Sequence, residues 1–584
     1  MFQRPLCLLG LFVAALSLFW NLSYAPFWNP DEGRYSAASS EMAFGLGDHG
    51  PDWLVPHLDT VARLNKPPLI YWSTAALMRI LGPSETAARL PSAFAALGVL
   101  LVLFGWGRAL FGIRAGVAAA LVWATAIFPF AMARVANTDM LLCASIALAG
   151  CGIYWAIETS HPWRFGLLAG VGMGLALLAK GPVGVALPLA IGFVYLCLIR
   201  GWKRAPWGAL ALALALAFGL GAPWYWSVET ARPGFLHQFI FAENLGRFSG
   251  GAGFHKPSPK WVYVPVLLGG MLPWTGFLLP ALGQFEALTT RAGRAKAFLV
   301  IWAVFIALFF SFSGTKLVSY VLPAFPALAL LTGAAVAHFE TWPRWARRFA
   351  VVSTLLFNAL AAFALFFKPQ KLHGTRGIAL TPGVLLDDKI VPREVGAPWT
   401  WILLAVVALG SVLLLLAARR PSGKSLLLAQ GTTGLAFLGV LTLLAGKIAQ
   451  YEDGSALLRA VQPQLKSDDR VAGYLSFLPT SMVYTQRPTT FFGFRNTSGL
   501  DESELKTSPY FRRPDQFEAY LNESKSRTFV LADGPIWPAA QGNLTLWGRN
   551  NDWFLYANTP KPADFGFEFF ARRKTLKKSK MPED

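Results

Sequence analysis

Long apolar stretches recur along most of this chain, and they constrain its fold more than any other feature. Each holds about 17 to 25 residues, which is enough to cross a hydrocarbon core of roughly 30 Å. Only 14% of the 584 residues are charged, whereas about a quarter are charged in a typical soluble protein. The sequence therefore predicts a polytopic membrane protein. Clear examples are Leu8–Tyr24, Trp207–Tyr225, Ala297–Ser313, Trp399–Ala418 and Leu426–Ala445.

We expect about thirteen spans, and short loops rich in Lys and Arg give their orientation because such loops stay in the cytoplasm. With the N-terminus inside, every loop expected on the cytoplasmic side is basic. The spans are placed at 7–25, 87–107, 115–133, 137–157, 164–180, 182–199, 207–225, 261–283, 297–313, 317–337, 348–367, 398–418 and 425–446. The basic loop residues are Arg108, Arg114, Arg164, Arg200, Lys203, Arg204, Arg291, Arg294, Lys296, Arg344, Arg347, Arg348, Arg419, Arg420 and Lys424.

With this orientation, the outer side holds the long loops of the transmembrane domain and a separate C-terminal domain. The transmembrane domain, 1–448, carries outer loops at 26–86 and 226–260 and a polar segment at 368–397. The region 449–584 contains short runs that alternate apolar and polar residues, as half-buried strands do. The fold class predicted is thus an all-α polytopic membrane protein with a small C-terminal α/β domain. The runs are Arg470–Phe477, Ser481–Thr485, Thr528–Asp533 and Trp553–Ala557.

The end of the chain is strongly basic between Arg572 and Lys580. On the outer side, anionic lipid headgroups attract such a segment. A disordered solubilising tail is the alternative reading.

The first outer loop contains the acidic pair Asp31 and Glu32, followed by Arg34 and Tyr35. Glu32 has a local explanation, because Asn29 as N-cap, Pro30 at N1 and Glu32 at N3 form a capping box. Capping does not require Asp31. A carboxylate at the membrane surface beside Arg34 is therefore our candidate general base.

Lys66 precedes two prolines and an apolar run, Pro67–Trp72, which mark the beginning of a helix. A lysine at that end opposes the helix dipole, which favours negative charge. The ammonium of Lys66 and the positive end of the helix dipole would together bind an anion such as a phosphate. The alternative is a lysine that extends to the headgroup level.

Arg134, Asn137 and Asp139 lie at the outer mouth of a span. Ionisable residues at this depth indicate a functional site, although Asn137 and Asp139 also suit the first turn of a helix. Lys316 and Tyr320 enter a later span one turn apart. Ordinary interfacial anchoring explains that pair equally well.

The second outer loop contains Glu243 and Arg247, then glycines at 250–253 and the basic residues His255 and Lys256. A glycine-rich loop between charged residues suits a segment that covers a substrate. A flexible connector is the alternative.

Two further observations exclude function classes. The net charge of +20 is spread over short loops between spans, which argues against a nucleic-acid partner. The chain has no GxxxxGK[ST], no strand-associated GxGxxG and no HExxH motif. A reaction outside the membrane without nucleotides needs a donor already present there, and a lipid-linked donor fits.

These motifs, taken in order, resemble those of the GT-C glycosyltransferases. The closest pattern is that of the lipid A aminoarabinose transferase family, which is related to the protein O-mannosyltransferases. The similarity covers about the first 340 residues, and Asp31–Tyr35 and Lys66–Trp72 are its most specific parts. The resemblance implies an enzyme of the bacterial inner membrane. It would transfer a sugar from undecaprenyl phosphate to an acceptor on the periplasmic side, with inversion at the anomeric carbon.

The resemblance also implies roles for individual residues. Asp31 becomes the catalytic carboxylate, with Asp139 as a second acidic residue on the acceptor side. The carrier phosphate is assigned to Lys66, Arg247 and Tyr320. The other substrate-binding candidates are Glu32, Arg34, Tyr35, Arg134, Glu243 and Lys316.

One departure from the family pattern concerns a metal. Relatives often carry Glu before the lysine of Lys-Pro-Pro and His after the later loop Glu, a pair associated with a metal. Here those positions are Asn65 and Asn244, and neutral amides are poor ligands for a transition metal. We therefore expect neither a metal nor another cofactor.

A transporter or flippase for a lipid-linked glycan is the main alternative. Transporters place ionisable residues near the bilayer midplane, often beside broken helices, whereas the candidate residues here gather at the outer surface. Lys180-Gly181-Pro182 fits either a broken helix or a tight outer turn. The expected partners are a polyprenyl-phosphate sugar donor, a lipid, glycan or protein acceptor, and the bilayer. The identity of the sugar and the oligomeric state stay open.

Overall fold

A computed structural model describes most of the chain, including both long outer loops in large part. The described residues are 3–28, 31–47, 49–250, 259–283, 286–371, 378–382, 393–419, 422–452, 454–476, 478–493, 500–523, 526–536, 543–550, 553–563 and 565. The basic tail 572–580, Asn29, Pro30, His255 and Lys256 lie outside them.

Most of the described chain is helical. The helices are α1 (Gln3–Ser17), α2 (Asp31–Phe44), α3 (Leu69–Leu81), α4 (Glu85–Phe111), α5 (Ile113–Thr125), α6 (Ile127–Met132), α7 (Thr138–Glu158), α8 (Pro162–Lys180), α9 (Val183–Tyr195), α10 (Trp207–Ala231), α11 (Phe235–His237), α12 (Arg247–Ser249), α13 (Tyr263–Gly270), α14 (Thr275–Leu282), α15 (Arg291–Phe312), α16 (Phe325–Val336), α17 (Arg344–Phe366), α18 (Arg393–Arg419), α19 (Gly423–Glu452), α20 (Ser455–Val461), α21 (Ser481–Thr485), α22 (Glu502–Thr507) and α23 (Phe517–Asn522). Short π-helices cover Leu196–Arg200 and Gln238–Gly246. Short 3-10 helices cover Trp202–Arg204, Val318–Ala324, Phe339–Thr341, Gln462–Gln464 and Pro514–Gln516.

Nine helices among the described residues are long and apolar enough to cross a membrane, or ten if one bent pair counts as a span. The bent pair is α13 with α14, which meet at 108°. The multi-pass membrane fold is confirmed, but the expected thirteen spans are not. The span expected at 115–133 is divided at Ala126 into α5 and α6. In place of the span expected at 7–25, the helix α1 has 15 residues and ends at Ser17.

Helix α7 packs closely against α8. A Cβ atom at Gly152 would lie 2.5 Å from the backbone nitrogen of Ala169, and one at Gly172 would lie 2.5 Å from that of Ala149. Small residues are what allow two membrane helices to approach this closely. The tight contact fixes the outer end of α8 beside that of α7.

The C-terminal region contains a mixed sheet of six strands. Its strand order is β7-β6-β5-β8-β10-β9. The first four strands in this order are parallel to one another, and β10 is antiparallel to β8 and β9. The strands are β5 (Arg470–Tyr474), β6 (Thr489–Phe492), β7 (Phe511–Arg512), β8 (Thr528–Asp533), β9 (Thr545–Asn550) and β10 (Trp553–Ala557). Two-residue strands β1 (His57–Leu58) and β2 (Val61–Ala62) pair in the first outer loop, and β3 (Phe367–Lys371) pairs with β4 (Ile378–Pro382).

One predicted strand is wrong. Ser481–Thr485 forms the short helix α21, and all five of its residues are buried. A segment of five residues shows too little of either period to separate a strand from one helical turn. The strands expected around Arg470, Thr528 and Trp553 are confirmed.

The C-terminal domain packs on the first outer loop rather than standing apart. One buried cluster contains Phe27, Ala37 and Leu58 from the loop together with Phe491 and Phe529 from the sheet. The domain therefore lies at the end of the bundle where the candidate residues gather.

Candidate active site at the outer ends of the helices

Asp31 begins α2 and points away from the protein interior. Its side chain is 79% exposed, and its carboxylate forms an ion pair of 3.3 Å with the guanidinium of Arg34. The Arg34 side chain is by contrast only 6% exposed. An accessible carboxylate supported by a buried cation is suited to accept a proton from a bound substrate.

Glu32, the neighbouring acid, is fully occupied by structural contacts. Its carboxylate accepts hydrogen bonds from the Arg89 side chain at 2.7 and 2.9 Å and from the amides of Trp28 and Ala136, both at 2.8 Å. Arg89 also donates to the carbonyls of Leu22, Ala25 and Pro26. This buried network fixes the chain that enters α2 and gives Glu32 a structural role. The expected capping box with Asn29 lies outside the described residues, and the substrate-binding role of Glu32 stays a prediction.

Arg34 shares its surroundings with a second buried arginine, Arg63. Burial lowers the pKa of Arg34, and the nearby charge of Arg63 lowers it further, while Asp31 acts in the opposite direction. Two buried guanidinium groups whose charges repel each other favour a nearby anion.

Tyr35 links the two acidic candidates. Burial raises the pKa of its phenol, and the charges of Asp139 and Asp31 both add to that rise. The ring lies 5.9 Å from that of Tyr71, and the Arg63 guanidinium lies 5.8 Å from its centre. Tyr35 packs in one cluster with Tyr71 and with Leu141 of α7, so α2 lies next to the N-terminal part of α7, which carries Asp139.

Lys66 lies at the beginning of α3, as the two prolines predicted. The helix starts at Leu69 directly after Pro68, and α3 packs against α2. Lys66 is half-buried. Its position next to the helix N-terminus is the one expected for an anion-binding lysine.

Asp139 forms an ion pair with Lys180, a residue that closes α8. Both side chains are largely buried, at 14% and 13% exposure. The ammonium of Lys180 also lies 4.4 Å from the centre of the Tyr320 ring, which is within range of a cation–π contact. Asn137 caps α7 by accepting from the amides of Asp139 and Met140, so this motif serves both the helix and the site.

Arg134 faces away from this cluster. It donates to the carbonyls of Ser17, Trp20 and Asn21 and therefore binds the chain just after α1. The guanidinium lies 4.9 Å from the ring of Phe130. The structure gives Arg134 a structural role, and its place on the acceptor side stays a prediction.

The second outer loop reaches the site through its π-helical segment. Glu243 and Asn65 line a polar recess of about 30 Å³ together with Gln238 and Asp501. Arg247 follows in α12, and its side chain lies outside the described part of the structure. Asn244 donates to the Phe239 carbonyl at 2.7 Å. The absence of a metal requirement stays a prediction.

Lys316 lies just before the 3-10 turn that carries Tyr320. Its ammonium donates to the Ser313 carbonyl at 2.8 Å. This contact anchors the turn, and the substrate-binding role of Lys316 stays a prediction.

Sequence reasoning missed Lys180 and Arg63 as site residues. Lys180 was visible only as part of a turn, and the structure confirms the tight turn, with Gly181 at a φ of +85° between α8 and α9. The sequence did contain one signal for Lys180, because the expected spans place it and Asp139 at the same end of neighbouring helices. Arg63 precedes Lys66 by three residues, and that spacing gave no separate indication of its burial.

Comparisons with known proteins agree with this architecture. Residues 65–226 match a family model described as Dolichyl-phosphate-mannose-protein mannosyltransferase. The chain is 33% identical over 326 residues to undecaprenyl phosphate-alpha-4-amino-4-deoxy-L-arabinose arabinosyl transferase 2 of Sodalis glossinidius, which is 55% of this chain and 57% of the relative. This chain thus spans little more than half the length of that relative in the alignment.

A second relative and one solved structure cover nearly the whole chain. The corresponding transferase of Edwardsiella ictaluri is 27% identical over 543 residues, or 89% of this chain and 93% of the relative. The crystal structure of ArnT from Cupriavidus metallidurans bound to undecaprenyl phosphate has a TM-score of 0.77 at 21% identity, and the match covers 97% of this chain and 100% of that one. The resemblance to the GT-C glycosyltransferases is confirmed, and the predicted enzyme class agrees with the names of these relatives.

Proposed function

We propose that this chain, which has the GT-C fold and aminoarabinose transferases among its relatives, is a membrane glycosyltransferase that takes its sugar from a polyprenyl phosphate. The donor is an undecaprenyl-phosphate-linked sugar, either aminoarabinose or another pentose or hexose. The acceptor is lipid A or another component of the envelope. The reaction takes place on the periplasmic side of a bacterial inner membrane, with the N-terminus in the cytoplasm and the C-terminal domain in the periplasm.

One observation carries the proposal: the exposed carboxylate of Asp31 lies among cations at the outer end of the bundle. Arg34 pairs with it, the guanidinium of Arg63 lies 5.8 Å from the ring centre of Tyr35, and the Asp139–Lys180 pair joins the adjacent ends of α7 and α8. A polyprenyl-phosphate donor brings a negative charge that such cations stabilise, especially as the charge grows on the leaving phosphate.

The reaction follows from this arrangement. The acceptor oxygen attacks the anomeric carbon from the face opposite the phosphate. The bond from that carbon to the phosphate oxygen breaks, and undecaprenyl phosphate leaves with the electron pair. Configuration at the anomeric carbon is inverted, and for a hydroxyl acceptor the released proton passes to Asp31. For a phosphate acceptor no proton is removed, and Asp31 positions the acceptor instead.

In the same proposal the leaving phosphate is held from two sides. Lys66 at the start of α3 provides one cation, and Arg247 after the π-helical segment provides the other. Tyr320 is held next to Lys180 and assists them. Asp139 is neutralised by Lys180, which favours a positioning role for it over that of a second base.

Position in the membrane argues against a transporter. Alternating-access transporters bind their substrate near the midplane of the bilayer. In this chain Asp31, Asp139 and Lys180 lie at the ends of α2, α7 and α8, not at their centres.

Mass spectrometry of lipid A, other envelope glycans and glycoproteins tests the proposal. Four strains are compared: wild type, a deletion, and the deletion complemented with D31N or with the control D515N, whose carboxylate lies exposed on the C-terminal domain. We expect one glycosyl mass increment to disappear in the deletion and in D31N and to be kept with D515N. The molecule that loses the increment identifies the acceptor, including a protein if the enzyme resembles protein O-mannosyltransferases.

Retention of every wild-type glycan by the D31N strain, at normal protein levels, would contradict the catalytic assignment. Loss of glycans in the deletion with lipid-linked precursors accumulating on the cytoplasmic side would favour the transporter.

A further inference from the structure

Glu504 of the C-terminal domain reaches into the transmembrane domain and binds two separate segments there. Its Oε2 accepts a hydrogen bond of 2.7 Å from the amide of Ala62, and its Oε1 forms an ion pair with Arg232. Glu504 lies in α22 and is separated from Ala62 by 442 residues of sequence. A single carboxylate therefore joins three parts of the chain.

The first segment leads directly to Lys66. Ala62 ends β2, four residues before that lysine, and its carbonyl accepts a hydrogen bond of 2.9 Å from the amide of Asp501. Both backbone groups of Ala62 are thus bound to the C-terminal domain. Four residues of chain span at most about 14 Å, so the position of Ala62 restricts where Lys66 can lie.

The second segment leads to Glu243 and Arg247. Arg232 caps the C-terminal end of α10. The turn after it is held by Glu229, which accepts from the amides of Gly234 and Leu236. The π-helical segment Gln238–Gly246 follows without a long connection, so the end of α10 sets its position.

The three parts meet again at the polar recess. Asn65, adjacent to Lys66, lies there with Gln238 and Glu243 from the π-helical segment and Asp501 from the C-terminal domain. The recess is about 30 Å³, so the segments are close-packed around it. Ala62, whose amide Glu504 binds, also lines the recess, so the recess and the Glu504 contacts are parts of one junction.

Other contacts are sufficient to dock the domain. The mixed hydrophobic cluster of the outer loop and the sheet is one. A second is the buried carboxylate of Glu85, which accepts from Tyr484 at 2.6 Å and pairs with Arg459. The domain is thus held by several contacts besides those of Glu504, whereas Glu504 is the residue that joins Ala62 to Arg232.

We propose that Glu504 is a positioning residue that fixes the Lys66 segment and the Glu243–Arg247 segment relative to each other, so that both reach one carrier phosphate. The proposal rests on the proposed function for the identity of that phosphate. In this arrangement the C-terminal domain is part of the donor site, because removal of one of its carboxylates separates the two sides of that site.

The test compares five full-length proteins in detergent: wild type, E504A, E504Q, R232A and the control D515A. Hydrogen exchange reports the local order of residues 61–66 and 238–246, and binding of undecaprenyl phosphate reports the donor site. Gln at 504 keeps an acceptor for the Ala62 amide but loses the ion pair, so it separates the two contacts. Thermal unfolding verifies that the domain remains folded and docked.

We expect E504A to speed exchange in both segments and to weaken undecaprenyl phosphate binding about tenfold, the loss of one charge-assisted contact pair. E504Q and R232A should affect mainly 238–246 and weaken binding less, and D515A should match the wild type. Unchanged exchange in E504A, or faster exchange with unchanged binding, would overturn the proposal.

If the proposed function itself is wrong, the binding measurement gives a different result. In that case the wild type itself does not bind undecaprenyl phosphate. The exchange data alone then decide whether Glu504 fixes the two segments: faster exchange in both supports the positioning role, and unchanged exchange overturns it.

Discussion

The ammonium of Lys180 forms an ion pair with the carboxylate of Asp139, and together they join the C-terminal end of α8 to the N-terminal end of α7. Both side chains are largely buried, so each charge depends on the other for stabilisation. This ion pair gives Asp139 surroundings different from those of Asp31, the other acidic candidate. Asp139 is held as a neutralised partner, whereas Asp31 is exposed and available to a substrate.

Replacing Lys180 by Met should therefore destabilise the protein. Asp139 would be left as a buried charge without its partner, which costs about 3–5 kcal/mol. We expect K180M to lower the thermal unfolding temperature in detergent and to abolish sugar transfer. The double variant K180M/D139N should recover much of the stability but not the transfer. An unfolding temperature of K180M equal to that of the wild type would contradict the pairing.

Asp31→Asn should leave the stability of the protein unchanged while it slows sugar transfer. The side chain is 79% exposed, so its charge contributes little to folding. Loss of a general base typically slows a reaction by about 10²–10⁴-fold. We expect kcat for sugar transfer to fall by that factor with an unchanged unfolding temperature, and D515N serves as the matched surface control. If the acceptor is a phosphate, the loss should appear in KM for the acceptor rather than in kcat.

Several features of the site could be predicted from the sequence because they depend on neighbouring residues. Pro68 marks the start of α3, and Asn137 caps α7. The Asp139–Lys180 pair could not, because its partners are 41 residues apart and meet only through the packing of α7 on α8. The burial of Arg63 likewise depends on the fold of the first outer loop.

The surroundings of Asp31 and Glu32 also depend on residues that are distant in the sequence. The capping motif identified Glu32 as an acid with a local role, but the structure adds Arg89, which lies 57 residues away. The carboxylate also accepts from the amide of Trp28, before the helix begins. Adjacent acids of the same type thus have different surroundings, and sequence alone could separate them only in part.

Glu32→Gln should reduce stability more than Asp31→Asn does. Arg89 would keep a buried charge without its carboxylate, at a cost of about 3–5 kcal/mol. We expect a lower yield of folded protein and a lower unfolding temperature. The double variant E32Q/R89M removes the stranded charge, and it should be more stable than E32Q alone. Equal stability of E32Q and D31N would show that the Glu32–Arg89 network is not needed for folding.

Two other buried carboxyls lie where the first outer loop contacts the C-terminal domain. Glu41 accepts from the amide of Thr60 at 2.9 Å, and Asp59 accepts from the amide of Thr489 at 3.4 Å. Burial raises the pKa of Glu41 to about 8, with a further contribution from the charge of Asp59, and burial raises the pKa of Asp59 to about 7. Both carboxyls therefore stay protonated in the folded protein over much of the range in which the unfolded chain is ionised.

The sign of the pH dependence follows from these values. In the unfolded chain both groups ionise near pH 4, so the folded protein binds more protons between about pH 4 and 8. Their contribution to stability is fully present below pH 4 and is lost as the pH rises through 7 and 8. Asp59→Asn keeps an acceptor for the Thr489 amide without a titrating group. Unfolding temperatures at pH 5, 6.5 and 8 should fall less steeply in D59N than in the wild type, whereas D515N should keep the wild-type slope. A wild-type slope in D59N would mean that Asp59 is ionised throughout this range despite its burial.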